Sequence, residues 1–336
     1  MDLALSHIYG SLAAPTPPPG DRLIYSVAPV PGHPGYFIGK DNESYACVLI
    51  AVADRDGRPH ATIRLESLEV QFEVQSLIKA GGKISEGTFT VVRCRSGEPE
   101  IIRYFLSVCE TILRILGTQP TRAAIADAIN RLALIFQRLQ KPPLRPVNGL
   151  FGELLLIRLC HDPLRALAAW RTQAISRFDF SAGDIRVDVK TTNGRIRAHN
   201  FSYEQCNPPP GTIAIAASLF VERAAGGVSL RELVLEVERL VGSSTELVLK
   251  LHDIVTATLG NALPEALGIR FDRRLATSSL QFYDLKAIPA IRGDLPAGVG
   301  DVHFRSDLSS ATTIPIAGLI AREPGIADFL PDPGAA

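Results

Sequence analysis

The chain has 336 residues, 46% of them hydrophobic, and its 35 Lys and Arg balance 35 Asp and Glu to a formal net charge of zero. That length exceeds one typical domain and can bury a sizeable core, while the even balance excludes a protein that coats nucleic acid through a general basic excess, so any polyanion contact is local. The five cysteines, Cys47, Cys94, Cys109, Cys160 and Cys206, include no C-x-x-C pair, which argues against a zinc module or a disulfide framework and fits buried thiols in a reducing compartment.

No apolar run approaches the ~18 residues that span a bilayer, and the start, Met-Asp-Leu-Ala-Leu-Ser, lacks a basic n-region. A cytoplasmic protein with no membrane partner is expected. Residues 1–20 end in Ala-Ala-Pro-Thr-Pro-Pro-Pro-Gly and read as a flexible lead-in. Residues 21–140 read as a β-rich region followed by helices. Strands are expected at 23–27, 46–52, 61–65, 68–74 and 88–94, with turns at Asp56-Gly57 and Gly81-Gly82. Helices follow over 101–116 and 122–139, the second with Ile125, Ile129, Leu132, Ile135, Phe136 and Leu139 at helical spacing. His33 and His60 sit in loop sequence and read as surface histidines. Lys141-Pro142-Pro143-Leu144-Arg145-Pro146 is a stiff linker and marks a domain boundary.

The next stretch, 148–157, is apolar on nearly every side, with Asn148 as its N-cap, so it reads as a helix buried against a sheet. Glu153 breaks that pattern. A lone carboxylate is costly to bury without a partner, so Glu153 is either on a wet stripe or a ligand, and Gly152 beside it permits close approach to a neighbour. Residues 178–190 read as a hairpin: Phe178 and Phe180 on the first strand, Ile185, Val187 and Val189 on the second, and Ala-Gly between them. Alternation gives Arg186, Asp188 and Lys190 a common polar face. With Phe180 opposite Ile185, Asp179 faces Arg186 and lies about 7–8 Å diagonally from Asp188. Two carboxylates so placed can lean together and hold one Mg²⁺, which takes one or two carboxylate oxygens and otherwise keeps its waters. Lys190 points at the same place. The competing reading is an ordinary hairpin with a charged wet face.

After it, Arg195, Arg197 and His199 alternate along an extended piece, a local positive side suited to a phosphate backbone or, alternatively, a solvated edge strand guarded against aggregation. Ser202 can cap a short helix carrying Tyr203 and Gln205. Pro208-Pro209-Pro210-Gly211 breaks the chain, and 212–221 is a continuous apolar run, the pattern of a central strand covered on both faces. Ser229 with Glu232 and Ser243 with Glu246 read as capping boxes, the second helix stopping at Gly260. Short strands are expected at 269–271, 280–285 and 302–304, with His252 and His303 structural.

The Asp188-Val189-Lys190 tripeptide with an upstream Asp179 resembles the PD-(D/E)XK nucleases. Four segments carry a wider resemblance to a bacterial family of PD-(D/E)XK motif proteins of restriction-like or phage-defence gene clusters. They are Gly149-Leu150-Phe151-Gly152-Glu153-Leu154-Leu155, Asp179 through Thr192, His199 to Gln205, and 302–308. The resemblance implies an α/β fold: a restriction-endonuclease-like core over 146–225, a mixed central sheet flanked by helices, joined to the β-rich N-terminal region and to an α+β C-terminal extension over 226–336. It implies an Mg²⁺- or Mn²⁺-dependent endonuclease acting on DNA, with Asp179, Asp188 and Glu153 as metal ligands and Lys190 as the catalytic lysine. Arg195, Arg197, His199 and Gln205 then face the nucleic acid, and protein partners of a defence or restriction system, or a homodimer, are expected. The sequence departs from the family at Asp188, where Glu is commoner and its longer arm reaches further. The alternative is a catalytically silent subunit of the same fold that binds nucleic acid or a partner protein.

Overall fold

The computed structural model describes residues 5–15, 24–52, 60–171 and 176–331, and the chain forms two compact units, Met1–Pro142 and Pro143–Ala336. In the first, Leu5–Ser11 is a short helix, α1, with Leu5 fully buried, in place of the flexible lead-in expected there. Its apolar residue finds a site against the helix α2 (Pro99–Leu116), and the Leu5 amide donates to Glu110 at 2.5 Å.

Strands β1 (Ile24–Pro29), β2 (Tyr36–Lys40), β3 (Ala46–Ala51), β4 (Ile63–Arg64), β5 (Leu68–Ala80) and β6 (Lys83–Cys94) form one sheet in the order β1-β2-β3-β6-β5-β4. A parallel pairing of β1 with β5 closes β1, β2, β3, β6 and β5 into a five-stranded barrel. Closure needs curvature, and β5 supplies it with a bulge between Gln71 and Val74, where Glu73 takes a positive φ of 56°. Gly81 and Gly82 turn β5 into β6 with φ of 55° and 84°. The turn expected at Asp56-Gly57 lies outside the described residues. Tyr25, Val27, Cys47, Leu49, Ile78, Phe89 and Val91 fill one core cluster. Helix α2 and α3 (Arg122–Arg138) complete the unit, α3 capped by Thr121.

The second unit is mixed α/β. Its sheet has the order β13-β10-β8-β7, built from β7 (Phe180–Ala182), β8 (Ile185–Thr192), β10 (Ile213–Phe220) and β13 (Gln281–Asp284). β8 runs parallel to β10, while β7 and β13 are antiparallel to their neighbours. The continuous apolar run thus becomes β10, paired on both edges. On one face lies α4 (Val147–Leu159), followed by α5 (Pro163–Ala169). On the other, β9 (Ala198–Ser202) carries α6 (Tyr203–Cys206) at its end. The chain continues through β11 (Arg223–Ser229), α7 (Leu230–Val241), α8 (Thr245–Leu259), α9 (Leu263–Gly268), β12 (Arg270–Phe271) and α10 (Arg273–Ser278). β14 (His303–Asp307), which pairs with β9, and α11 (Ile316–Arg322) end it. The capping box of Ser229 and Glu232 opens α7, whereas α8 is capped by Ser244 instead of Ser243. The cap of α4 also differs from expectation: the helix starts at Val147 behind Pro146, and Asn148 lies inside it.

Helix α4 approaches β8 closely because Gly152 has no side chain. A Cβ there would lie 2.4 Å from Thr191 Cγ2 and 3.2 Å from Val189 Cγ1, both on stiff β-branched residues. Gly152→Ala is expected to cost about 1–3 kcal/mol through this overpacking, against the gain that alanine brings to most helix interiors. Urea denaturation of the variant checks the sign. All five cysteines are free and buried. Among the described residues no helix is long and apolar enough to cross a membrane.

Candidate active site

The hairpin β7–β8 turns through two residues, Gly183 and Asp184, with Gly183 at φ 51°. Its register pairs Phe180 with Val187 and Ala182 with Ile185, so the expected opposition of Phe180 and Ile185 is shifted by two residues. Continued one residue outward, this register sets Asp179 opposite Asp188, not opposite Arg186. Arg186 instead bends onto the turn, donating to the carbonyls of Gly183 at 2.5 Å and Ile185 at 2.8 Å. The turn slides one residue along the chain, from the expected Ala182-Gly183 to Gly183-Asp184, and so sets the two acids directly opposite one another instead of on a diagonal.

Asp179 and Asp188 are both buried, each 3% exposed. Asp179 Oδ2 accepts the Val189 amide at 2.8 Å, and Oδ1 accepts Arg145 Nη1 at 2.8 Å. Asp188 Oδ1 accepts Gln205 Nε2 at 2.9 Å. Its Oδ2 lies 2.7 Å from Lys190 Nζ as an ion pair but receives no well-directed hydrogen bond. Burial pushes the Asp188 carboxyl above the ordinary carboxylate range; Lys190 opposes that rise and Asp179 adds to it. Lys190 is partly exposed, with its ammonium 4.8 Å over the Phe201 ring.

Glu153 projects from α4 into the same neighbourhood and is buried, so the wet-stripe alternative does not apply. Its Oε2 accepts Trp170 Nε1 at 2.6 Å and Arg171 Nε at 3.0 Å, and its Oε1 stands 3.6 Å from Arg145 Nη1. Burial raises its pKa first, Asp179 raises it further, and Arg171 and Arg145 pull it back. Arg171 is anchored in turn: Nη2 donates to Thr258 Oγ1 at 2.9 Å and its amide to the Asp179 carbonyl at 2.7 Å. The carboxylates of Glu153, Asp179 and Asp188 thus stand among the cations of Arg145, Arg171 and Lys190.

Gln205 enters through the cap of α6. Ser202 Oγ accepts the Gln205 amide at 3.2 Å while Gln205 Oε1 accepts the Ser202 amide at 3.0 Å, which leaves Nε2 for Asp188 and the Arg177 carbonyl. The basic stretch does not present one outward side. Arg195 is exposed, but Arg197 and His199 are 7% and 4% exposed. Arg197 Nη1 donates to Ser218 O and Oγ at 2.8 and 2.9 Å, and its guanidinium lies 4.5 Å over Phe220. His199 Nε2 meets Ser218 Oγ at 2.8 Å, and burial, with Lys190 and Arg197 nearby, lowers its pKa to about 4. Both residues brace β9 against β10. The alternation changes at Arg197 because the chain enters the β9–β14 ladder there, where the Leu308 amide takes the Arg197 carbonyl.

Sequence reasoning missed the parts played by Arg145, Trp170 and Arg171. Arg145 sits in a proline-rich linker that reads as a spacer, and the adjacent Trp170-Arg171 pair is a weak signal without the fold. In hindsight the buried Glu153 was itself the clue, since its burial demands donors.

Among the described residues no group of three or more His, Cys, Asp or Glu is arranged to hold a metal ion. Two carboxylates nevertheless satisfy the usual protein share of an Mg²⁺ shell. The buried Asp188 Oδ2, which accepts no well-directed hydrogen bond, fits a divalent cation at this place. No curated protein and no solved structure matches the chain. The family described as "Putative PD-(D/E)XK family member, (DUF4420)" matches residues 5–309, nearly the whole chain, and the chain belongs to that family.

Proposed function

We propose that the protein is a metal-dependent phosphodiesterase that cleaves DNA, with residues 146–225 of the second unit as a restriction-endonuclease-like core. The observation that carries this reading is the hairpin set of Asp179, Asp188 and Lys190, in which two buried acids stand together and Lys190 Nζ reaches Asp188 at 2.7 Å. Mg²⁺ or Mn²⁺ bound there would supply Lewis acidity and lower the pKa of a water. Asp179 and Asp188 would hold the cation, and Glu153, whose Oε2 is taken by Trp170 and Arg171, would complete the acidic set. Gln205 fixes the rotamer of Asp188, so the carboxylate is aimed before ligand arrives. Lys190, only partly buried, orients the attacking water and stabilises charge developing on the phosphate. The exposed Arg195 meets the strand backbone, and Arg197 and His199 act from behind by bracing β9.

One observation favours a second reading, a catalytically silent subunit: Arg145, Arg171 and Lys190 already balance all three carboxylates. Incubation of the protein with plasmid, linear and single-stranded DNA and with RNA, in Mg²⁺, Mn²⁺ and EDTA, separates the two. The expected result is metal-dependent cutting that falls about 10²–10³-fold in Lys190→Ala, the range for losing one charge-stabilising donor. Nucleic-acid binding indifferent to EDTA, with no cutting and no effect of Lys190→Ala, would instead establish the silent subunit.

A further inference from the structure

Each of the three carboxylates has one oxygen fixed by a buried donor. Asp179 Oδ2 is held by the Val189 amide, Glu153 Oε2 by Trp170 and Arg171, and Asp188 Oδ1 by Gln205. The remaining three oxygens face partly exposed cations. Asp179 Oδ1 and Glu153 Oε1 share Arg145, at 2.8 and 3.6 Å, and Asp188 Oδ2 meets Lys190. Arg171 also stands 3.9 Å from Asp179 Oδ1, but its side chain is 2% exposed and tied to Thr258, whereas that of Arg145 is 27% exposed. Moving Arg171 would strand a buried charge, whereas Arg145, which also donates from Nη2 to the Ser176 carbonyl at 3.3 Å, can turn toward water once another cation takes over its charge.

We propose that Arg145 is the resident counter-ion of the site: its guanidinium neutralises Asp179 and Glu153 in place of a divalent cation and would give way when that cation is bound. The inference rests on the metal-dependent reading above. The linker supports it, because the backbone at this point is held independently of the side chain. The Leu144 amide donates to the Thr258 carbonyl at 2.9 Å, and Pro143 and Pro146 restrict the dihedrals on either side. Rotation of this one side chain therefore opens the outer oxygens of Asp179 and Glu153 while the inner ones stay fixed. Arg145 is accordingly a positioning residue that sets how readily the metal is taken up, and it keeps the acids from repelling one another before that.

Calorimetric titration of Mn²⁺ into the full chain, wild type against Arg145→Ala and Arg145→Lys, tests this without reference to turnover. Removing the competing cation is expected to tighten Mn²⁺ binding about 5-fold, as for a partly exposed ion pair, and to increase the Mn²⁺-induced rise in melting temperature. Arg145→Lys, which keeps the charge, should bind within about 2-fold of wild type and serves as the folded control. Equal Mn²⁺ affinity in wild type and Arg145→Ala, or equal tightening by Arg145→Lys, overturns the counter-ion role and leaves the nuclease reading standing. Absence of Mn²⁺ binding in all three proteins overturns both.

Discussion

Asp188→Asn is expected to lower metal-dependent DNA cleavage by at least ~10²–10³-fold while the protein stays folded. The amide preserves shape, and its oxygen can still accept the Gln205 Nε2 hydrogen bond made at 2.9 Å. It removes the charge that Lys190 meets at 2.7 Å and places an amide hydrogen or a neutral oxygen against the ammonium. Because burial already pushes the Asp188 carboxyl toward its neutral form, replacing it by a neutral isostere sacrifices little folding free energy. Cleavage rates with plasmid DNA, alongside circular dichroism, give the two readouts. Retained cleavage in a folded Asp188→Asn would remove Asp188 from the mechanism.

The largest loss of stability is expected from Arg171→Ala, about 3–5 kcal/mol by urea denaturation, since breaking a buried pair leaves its partner uncompensated. The stranded group is Glu153, 3% exposed and bonded to Arg171 Nε at 3.0 Å. The loss depends on pH. In the wild type Glu153 is already raised above its ordinary 4.5 by burial and by Asp179, and the Arg171 guanidinium opposes that rise most strongly. Without Arg171 the folded pKa climbs further, so the variant keeps its stability below the unfolded value and loses it as pH passes upward through the folded one. Wild-type Glu153 is itself raised to about 7, so the gap between variant and wild type should stay level up to that pH and widen above it toward pH 8. A gap that stays constant across this range would mean that Arg171 contributes through packing and its bond to Thr258.

Elements were legible where one local rule decides them. The helix expected over 122–139 appears as Arg122–Arg138, because its apolar spacing leaves a single face to bury. The run 212–221 became β10 since an uninterrupted apolar strand needs cover on both sides. The Ser202–Gln205 cap followed from side-chain chemistry alone. Strand β2 was invisible: Tyr36-Phe37-Ile38-Gly39-Lys40 is short, and its glycine, which breaks the strand pattern, is required by packing, since a Cβ there would lie 2.7 Å from both the Ser26 carbonyl and Val27 Cγ1 of the neighbouring strand. Barrel closure was equally hidden, since the β1–β5 pairing joins segments some fifty residues apart in sequence and no local pattern encodes it. At the candidate site the residue types could be read, but not their neighbours. A turn placed one residue further on changed the hairpin register, and Arg145 and Arg171 reach Glu153 and Asp179 from loops whose direction only the packed helices determine.

The cap of α6 and the aim of Asp188 depend on one amide. Gln205 closes a helix of four residues with its oxygen and holds Asp188 with its nitrogen. Short helices fray at low cost relative to global unfolding. Every excursion that opens this turn also frees the carboxylate to rotate. Heat inactivation should then set in below the temperature at which the sheet melts, and the difference between the two temperatures would measure how firmly a single helical turn keeps the reactive groups in register.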